Sequence, residues 1–209
     1  PYTGAAVTRE DVIRDLQLMK ESNVNAIRTS HYPNAPYFPE LCSEYGFYMI
    51  AEADLESHGV VTLYTNDGHD CMGYIAQDDA WAESILDRQK RNVIRDKNQS
   101  AVIFWSLGNE SGYGGNFEDA GRWVKAYDPT RLLHYEASFW NSAGYHNDVS
   151  MLDVMSRMYA DTEWVKEYCE DRRMRKPFIQ CEFIHAMGNG PGDIHDYMEL
   201  MYKYDKFCG

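Results

Sequence analysis

The stretch Ala101-Val102-Ile103-Phe104-Trp105-Ser106-Leu107-Gly108-Asn109-Glu110 decides how the rest of the chain is interpreted. Residues 101–107 are almost entirely apolar, as expected of a strand that is buried on both faces. The run then stops abruptly, and Glu110 stands at the end of the strand. A carboxylate is costly to desolvate there unless it has a function, although Glu110 could instead cap the helix that follows. The stretch therefore predicts a buried strand that ends at a functional carboxylate.

Short apolar runs and helical patterns alternate on both sides of this stretch. Thr8, with Asp11 three residues later, predicts a capped helix, and Gly46 predicts the end of a second helix. The predicted strands are 26–30, 47–51, 102–107, 132–136, 154–158 and 178–181; the predicted helices are 8–22, 36–45, 79–97, 116–127, 162–173 and 192–204. Strands that alternate with helices in this way indicate a parallel sheet.

Polar residues gather directly after the predicted strands. They include His31, residues 52–58, Asn109, Glu110, Glu136, Tyr159 and residues 182–185. In a (β/α)8 barrel the active site lies at the carboxyl ends of the strands, so this pattern favours an α/β fold of the TIM-barrel type. A doubly wound sheet is the alternative, but no glycine-rich phosphate-binding loop follows the first strand.

The strand count predicts an incomplete barrel. Six strands are recognisable in 209 residues, whereas a full barrel typically needs about 250 residues. We therefore expect about strands two to seven, in a single catalytic domain over residues 1–209 that is a fragment of a longer multidomain chain. Strands 26–30 and 178–181 would then have open edges. A second copy, an end of the chain folded into the gap, or aggregation would cover them.

Composition limits the classes of function. Hydrophobic residues at 44% and charged residues at 25% indicate a globular protein. A formal charge of -13 argues against binding to nucleic acid or to an anionic membrane. No apolar run approaches the roughly 18 residues of a membrane span. The 5 cysteines form no CxxC pair and no signal peptide is visible, so we expect reduced thiols in a cytoplasmic protein.

A second apolar strand also ends in a glutamate. It reads Pro177-Phe178-Ile179-Gln180-Cys181-Glu182. Two glutamates at the ends of two parallel strands are typical of glycoside hydrolysis, in which one carboxyl group is protonated and the other is ionised. Glu110 and Glu182 are the predicted pair.

The stretch Glu52-Ala53-Asp54-Leu55-Glu56-Ser57-His58-Gly59 indicates a cation site. Carboxylates with an imidazole form a hard-to-borderline ligand set that suits Mg²⁺ or Mn²⁺. A solvated loop is the plainer interpretation of the same residues. A metal-dependent hydrolase of another class is a further alternative, but the sequence lacks the second His/Asp set that a two-metal site needs.

Four motifs, at residues 28–34, 52–59, 105–114 and 182–189, resemble in order and spacing the catalytic barrel of family 2 glycoside hydrolases. Residues 111–114 and 185–189 make the chain most similar to the large bacterial β-galactosidases of that family. β-Glucuronidases and β-mannosidases, which share the Asn-Glu pair, are the alternative within the family. A carbohydrate-binding fragment without turnover is the alternative outside catalysis.

The resemblance implies a retaining enzyme that hydrolyses terminal β-D-galactosides through a covalent glycosyl-enzyme. It implies that Glu110 is the general acid/base, that Glu182 is the nucleophile and that Tyr159 supports the nucleophile. The implied substrate contacts are His31, Asn109 and His185, and the implied magnesium ligands are Glu56, His58 and Glu110.

The same resemblance implies that residues 1–209 are only part of the catalytic unit. The remaining barrel strands and the flanking β-sandwich domains of the parent chain would complete the sugar pocket. We therefore expect little activity from residues 1–209 alone, and a homo-oligomer is one way in which the open edges would be covered.

Overall fold

The structure, a computed structural model, describes residues 4, 6–60, 73–139, 145–186, 188 and 192–209, and strands and helices alternate along them. The strands are β1 (Ala26–Arg28), β2 (Tyr48–Glu52), β3 (Val102–Ser106), β4 (Leu132–His134), β5 (Met155–Met158) and β6 (Phe178–Glu182). The α-helices are α1 (Arg9–Glu21), α2 (Phe38–Tyr45), α3 (Tyr74–Gln77), α4 (Ala82–Asp96), α5 (Gly115–Tyr127), α6 (Thr162–Glu170) and α7 (Ile194–Lys203).

Local chemistry sets the helix ends. The Thr8 hydroxyl accepts a hydrogen bond from the Asp11 amide and the Asp11 carboxylate accepts one from the Thr8 amide, which is the predicted capping box at the start of α1. Gly46 ends α2 with a left-handed φ of 71°, a conformation that glycine adopts at little cost. Both predicted helix boundaries are thereby confirmed.

The strands form two parallel sheets. One sheet has the order β1-β2-β3-β4 and the other pairs β5 with β6. Glu52 lies opposite Ser106 in the β2–β3 ladder, and Arg157 lies opposite Gln180 in the β5–β6 ladder. Among the described residues no backbone ladder joins β4 to β5, so the fold is a partial α/β barrel that does not close, as the strand count predicted.

The main core lies between the larger sheet and its helices. Trp105, Phe117, Leu133 and Leu16 are almost fully buried there. This packing leaves the carboxyl ends of the strands free to carry polar side chains, because the apolar residues that hold the helices lie along the strand bodies.

Several predicted elements have different limits, and three of them differ for local structural reasons. Strand 132–136 ends at His134, because Glu136 starts a 3-10 turn over Glu136–Phe139. Helix 79–97 begins with a 3-10 turn over Asp79–Trp81 before α4. Helix 162–173 ends at Glu170, and the next residue, Asp171, has extended backbone.

The edge of β6 that was predicted to need covering is covered by the end of the chain. The Phe178 amide donates to the Lys206 carbonyl at 2.7 Å, and the Cys208 amide donates back to the Phe178 carbonyl at 2.8 Å. The Gln180 amide donates to the Gly209 carbonyl at 2.6 Å. The last four residues of the chain therefore lie parallel to β6, which is one of the three predicted ways of covering the edge.

The helices of the described residues include none with the length and apolar character of a membrane span.

Candidate active site

A cavity of about 420 Å³ opens where the carboxyl ends of β1, β5 and β6 converge. Its lining comprises Arg28, Ser30, His31, Tyr159, Cys181, Glu182, Phe183 and His185. Four of the predicted site residues, His31, Tyr159, Glu182 and His185, are among these. Although distant in sequence, they lie together at the mouth of the partial barrel.

Both carboxylate oxygens of Glu182 are held by donors. The Arg28 guanidinium donates to Oε1 at 3.1 Å, and the Tyr159 hydroxyl donates to Oε2 at 2.6 Å. Burial and the hydrogen bond to Glu182 raise the pKa of Tyr159 to about 12, so its hydroxyl stays protonated near neutrality. An ionised carboxylate with a fixed orientation is what a nucleophile requires.

Arg28 is itself fixed by a buried partner. Its Nε and Nη2 atoms donate to the two oxygens of Glu52 at 2.7 and 3.0 Å, in the bidentate geometry that favours such pairs. Burial alone would raise the pKa of Glu52, but the hydrogen bond from His31 and the charge of Arg28 hold it below its usual range. The site residues predicted from sequence did not include Arg28 or Glu52. The available signal was a charged residue at the end of each apolar strand.

His31 connects this pair to the cavity. Its Nδ1 lies 3.0 Å from Glu52 Oε1, and its Nε2 lies 3.7 Å from Glu182 Oε1. The hydrogen bond to Glu52 raises the pKa of His31. Because the imidazole is held by Glu52, its Nε2 edge faces the nucleophile side of the cavity.

Asn109 joins the two halves of the site. Its Oδ1 accepts from Arg28 at 2.6 Å, and its Nδ2 donates to Glu56. The Asn109 amide also donates to the Leu55 carbonyl, so the backbone between β3 and α5 lies against the residues after β2. The side chain predicted to contact substrate thus links Arg28 to Glu56.

Glu110 lies in a second cluster with Glu56 and His58. His58 Nδ1 is 2.8 Å from Glu110 Oε2, and the His58 amide donates to Glu56 at 3.0 Å. One ligand atom from each of the three residues lies within 4.8 Å of the others. The two carboxylates and one imidazole fit a hard or borderline divalent cation. The structure therefore brings the three predicted metal ligands together.

Glu136 is a further carboxyl group at this end of the barrel that was not predicted as a site residue. It is 4% exposed. Burial raises the pKa of Glu136 to about 7 despite a hydrogen bond from the Met158 amide, and the charges of Glu110 and Glu182 raise it further. Its sequence signal was the same as for Glu110, a glutamate just after a buried strand.

Comparison with known proteins agrees with this geometry. The family model described as glycosyl hydrolases family 2, TIM barrel domain, matches residues 1–209. A β-galactosidase of Actinobacillus pleuropneumoniae is 47% identical over all of this chain and 23% of its own length. A β-galactosidase of Staphylococcus xylosus is 44% identical over all of this chain and 21% of its own length. The chain thus spans about a fifth of the length of these curated relatives.

Solved structures share the fold. A β-D-glucuronidase of Dictyoglomus thermophilum superposes with a TM-score of 0.67 at 20% identity, over 97% of this chain and 40% of that one. A Bifidobacterium dentium β-glucuronidase complexed with coumarin-3-O-glucuronide gives 0.68 at 20% identity, over 97% of this chain and 36% of that one. Together with the family match over its whole length, these similarities show that the chain belongs to glycosyl hydrolase family 2 and forms part of its TIM-barrel domain.

Proposed function

We propose that this chain carries the catalytic centre of a retaining β-galactosidase. The observation that supports this best is that the carboxylates of Glu182 and Glu110 have different surroundings. Glu182 accepts hydrogen bonds from Arg28 and Tyr159, as a nucleophile should, whereas Glu110 lies beside an imidazole at the more open side of the site. The galactoside preference is supported by the relatives with 44–47% identity, which are named β-galactosidases.

The reaction proceeds in two displacements. In the first, Glu182 attacks the anomeric carbon, the glycosidic C–O bond breaks, and Glu110 gives its proton to the departing oxygen. In the second, Glu110 takes a proton from water, the water oxygen bonds to the anomeric carbon, and Glu182 leaves as a carboxylate. Arg28 and Tyr159 orient Glu182 in both steps. His31, Asn109 and His185 bind sugar hydroxyl groups.

Glu56, His58 and Glu110 would hold Mg²⁺ in this proposal. When bound, the cation supplies a fixed positive charge beside the acid/base carboxylate. The binding test is calorimetric titration of the full-length chain with Mg²⁺, in which Glu56→Gln should weaken binding at least 10-fold. The exposed Glu163, which pairs with Lys166 at the surface, offers a matched control as Glu163→Gln. Equal Mg²⁺ affinity in both variants would contradict this ligand set.

The catalytic assignment is tested by trapping the intermediate. The full-length chain is incubated with an activated 2-deoxy-2-fluoro-β-D-galactoside, and the labelled peptide is identified by mass spectrometry. We expect the sugar on Glu182, no label in Glu182→Gln, and first release of the β-anomer from an ordinary galactoside. A label on another residue contradicts the role of Glu182. Faster turnover of a β-glucuronide or β-mannoside contradicts the galactoside preference alone.

A further inference from the structure

A row of polar side chains crosses the interior of the partial barrel behind the cavity. Ser106 on β3 donates to Glu52 Oε2 at 2.7 Å. His134 on β4 lies with Nδ1 2.9 Å from the Ser106 hydroxyl and with Nε2 2.8 Å from the Ser156 hydroxyl on β5. Ser106 and His134 are both 0% exposed and Ser156 is 1% exposed. Adjacent strands of the barrel therefore each contribute one member to a continuous chain of hydrogen bonds.

The direction of each bond follows from Glu52. Glu52 accepts from Arg28 at both oxygens, from His31 at Oε1 and from Ser106 at Oε2, so it is ionised and can only accept. The single hydroxyl proton of Ser106 is used on Glu52, and Ser106 must accept from His134. His134 therefore carries its proton on Nδ1, and its Nε2 accepts from the hydroxyl of Ser156.

His134 is neutral in this row. Burial and the charge of Arg28 lower the pKa of His134 to about 4, and the charge of Glu52 opposes them only in part. The charged groups that act on it are thus Arg28 on β1 and Glu52 on β2, and a further titratable group beside Ser156 is the Cys181 thiol on β6. A neutral imidazole with one donor and one acceptor suits its two hydroxyl partners.

The row also bridges the two sheets. Glu110 follows a strand of the four-stranded sheet, whereas Tyr159 and Glu182 belong to the β5–β6 pair, and no ladder joins β4 to β5 among the described residues. The His134–Ser156 hydrogen bond spans this junction. A side chain here therefore influences how the nucleophile sits relative to the acid/base.

We propose that His134 is a positioning residue, which in its neutral Nδ1–H form orients Ser106, Glu52 and Arg28 and through them the nucleophile Glu182. This inference rests on the proposed function, since it assigns Glu182 the nucleophilic role. His134 is fully buried and is not part of the cavity lining, so it acts through its neighbours and not on the sugar.

The test compares two substitutions in the full-length enzyme. His134→Phe keeps the ring and removes both hydrogen bonds, whereas His134→Gln keeps one donor and one acceptor. We expect His134→Phe to lower kcat about 10-fold with little change in KM, and to move the acid limb of the kcat/KM profile, because the row that orients Arg28 beside Glu182 is cut. His134→Gln should restore most of kcat and the position of the acid limb.

Trp105→Phe is the matched control. Trp105 precedes Ser106 on β3 but donates to Asp128, away from the row. The Trp105→Phe substitution should lower the melting temperature without moving the acid limb of the kcat/KM profile. If His134→Phe unfolds the protein, Ser106→Ala cuts the same row at the next link and should also move the acid limb.

Two results would overturn the inference. One is a folded His134→Phe or Ser106→Ala enzyme with the wild-type kcat and pH profile. The other is an equal loss in His134→Phe and His134→Gln, which would show that size and not hydrogen bonding matters. Failure of the proposed function is seen separately in the wild type, which would turn over no β-galactoside. The variants are then compared on the glycoside that it does hydrolyse.

Discussion

Three residues around the site adopt left-handed backbone conformations without being glycine. Glu110 has a φ of 38°, Tyr159 of 49° and Ile184 of 48°. Such conformations cost about 1 to 3 kcal/mol each and persist only where the surroundings enforce them. Glu110 and Tyr159, which donates to Glu182, are therefore oriented by their backbones as well as by their hydrogen bonds.

The turn that leads from β3 to Glu110 leaves no space for a side chain at Gly108. Its φ is 138°, and a Cβ atom there would lie 2.6 Å from Leu55 Cβ and 2.6 Å from the Leu55 carbonyl oxygen. We expect Gly108→Ala to lower the free energy of unfolding by about 3 kcal/mol. We also expect turnover to fall about 100-fold, because Glu110 would be displaced. Gly192→Ala is the control, since a Cβ there meets nothing within 4 Å. Equal stability and turnover in the two variants, measured by denaturation and galactoside assay, would contradict this.

The raised pKa of the buried Glu136 carboxyl group should make the free energy of unfolding depend on pH. The folded protein raises the pKa of Glu136 from 4.5 to about 7, mainly through burial. The stabilisation by the protonated form is thus complete below pH 4.5 and is lost as the pH rises through 7. A shift of this size corresponds to roughly 3 kcal/mol. Glu136→Gln should therefore be more stable than the wild type at pH 8, whereas the surface variant Glu163→Gln should not. Parallel stability curves for Glu136→Gln and wild type between pH 4 and 8 would contradict this.

At the residue scale, the sequence indicated the carboxylates but not their supports. Glu110 and Glu182 interrupt apolar strands, so their cost of burial is visible from the sequence. Ser106 and His134 resemble ordinary polar positions in short strands. Their role depends on which residues face the same interior from neighbouring strands, and that is a property of register.

At the scale of elements, helix ends were predictable and strand ends were less so. Thr8 and Gly46 act on their own helices, so their signals are local. β1 and β4 each stop two residues earlier than predicted. A strand ends where the neighbouring strand turns away from it, and the hydrophobicity of its residues does not show where that happens.

The tail that covers β6 is an element with a measurable contribution. Phe207 is 3% exposed, and its ring lies 5.2 Å from that of Phe178. Phe207→Ala should lower stability by about 3 kcal/mol, since it removes a buried aromatic side chain. Tyr202, at 82% exposed, is the control as Tyr202→Ala. If the two variants unfold at the same denaturant concentration, the tail contributes nothing to the stability of β6.

At the scale of the whole molecule, the sequence predicted the class and the incompleteness of the barrel. The alternation of strands and helices is repeated along the chain, so the fold class is predicted correctly even where single element boundaries are wrong. The division into two sheets was not predictable, because β4 and β5 have ordinary strand patterns and only their failure to pair separates them.

Residues 1–209 expressed alone should self-associate and turn over galactosides poorly. Among the described strands β1 has a ladder on one side only, to β2, and unpaired edges favour pairing with another chain. We expect elution above the monomer position in size-exclusion chromatography and turnover at least about 100-fold below that of the full-length chain. A monomer with full turnover would show that these residues make a complete pocket.

The junction between β4 and β5 has a mechanical consequence. Each sheet carries one member of the carboxylate pair, and in a retaining glycosidase the two groups must stay about 5 to 5.5 Å apart. The two sheets meet through the His134–Ser156 hydrogen bond and a backbone hydrogen bond from the Asp153 amide to the Leu133 carbonyl instead of a ladder, so their relative motion changes that spacing directly. In the proposed mechanism, the stiffness of this junction is then a kinetic parameter. Pressure or temperature that loosens it should slow bond cleavage before any strand unfolds.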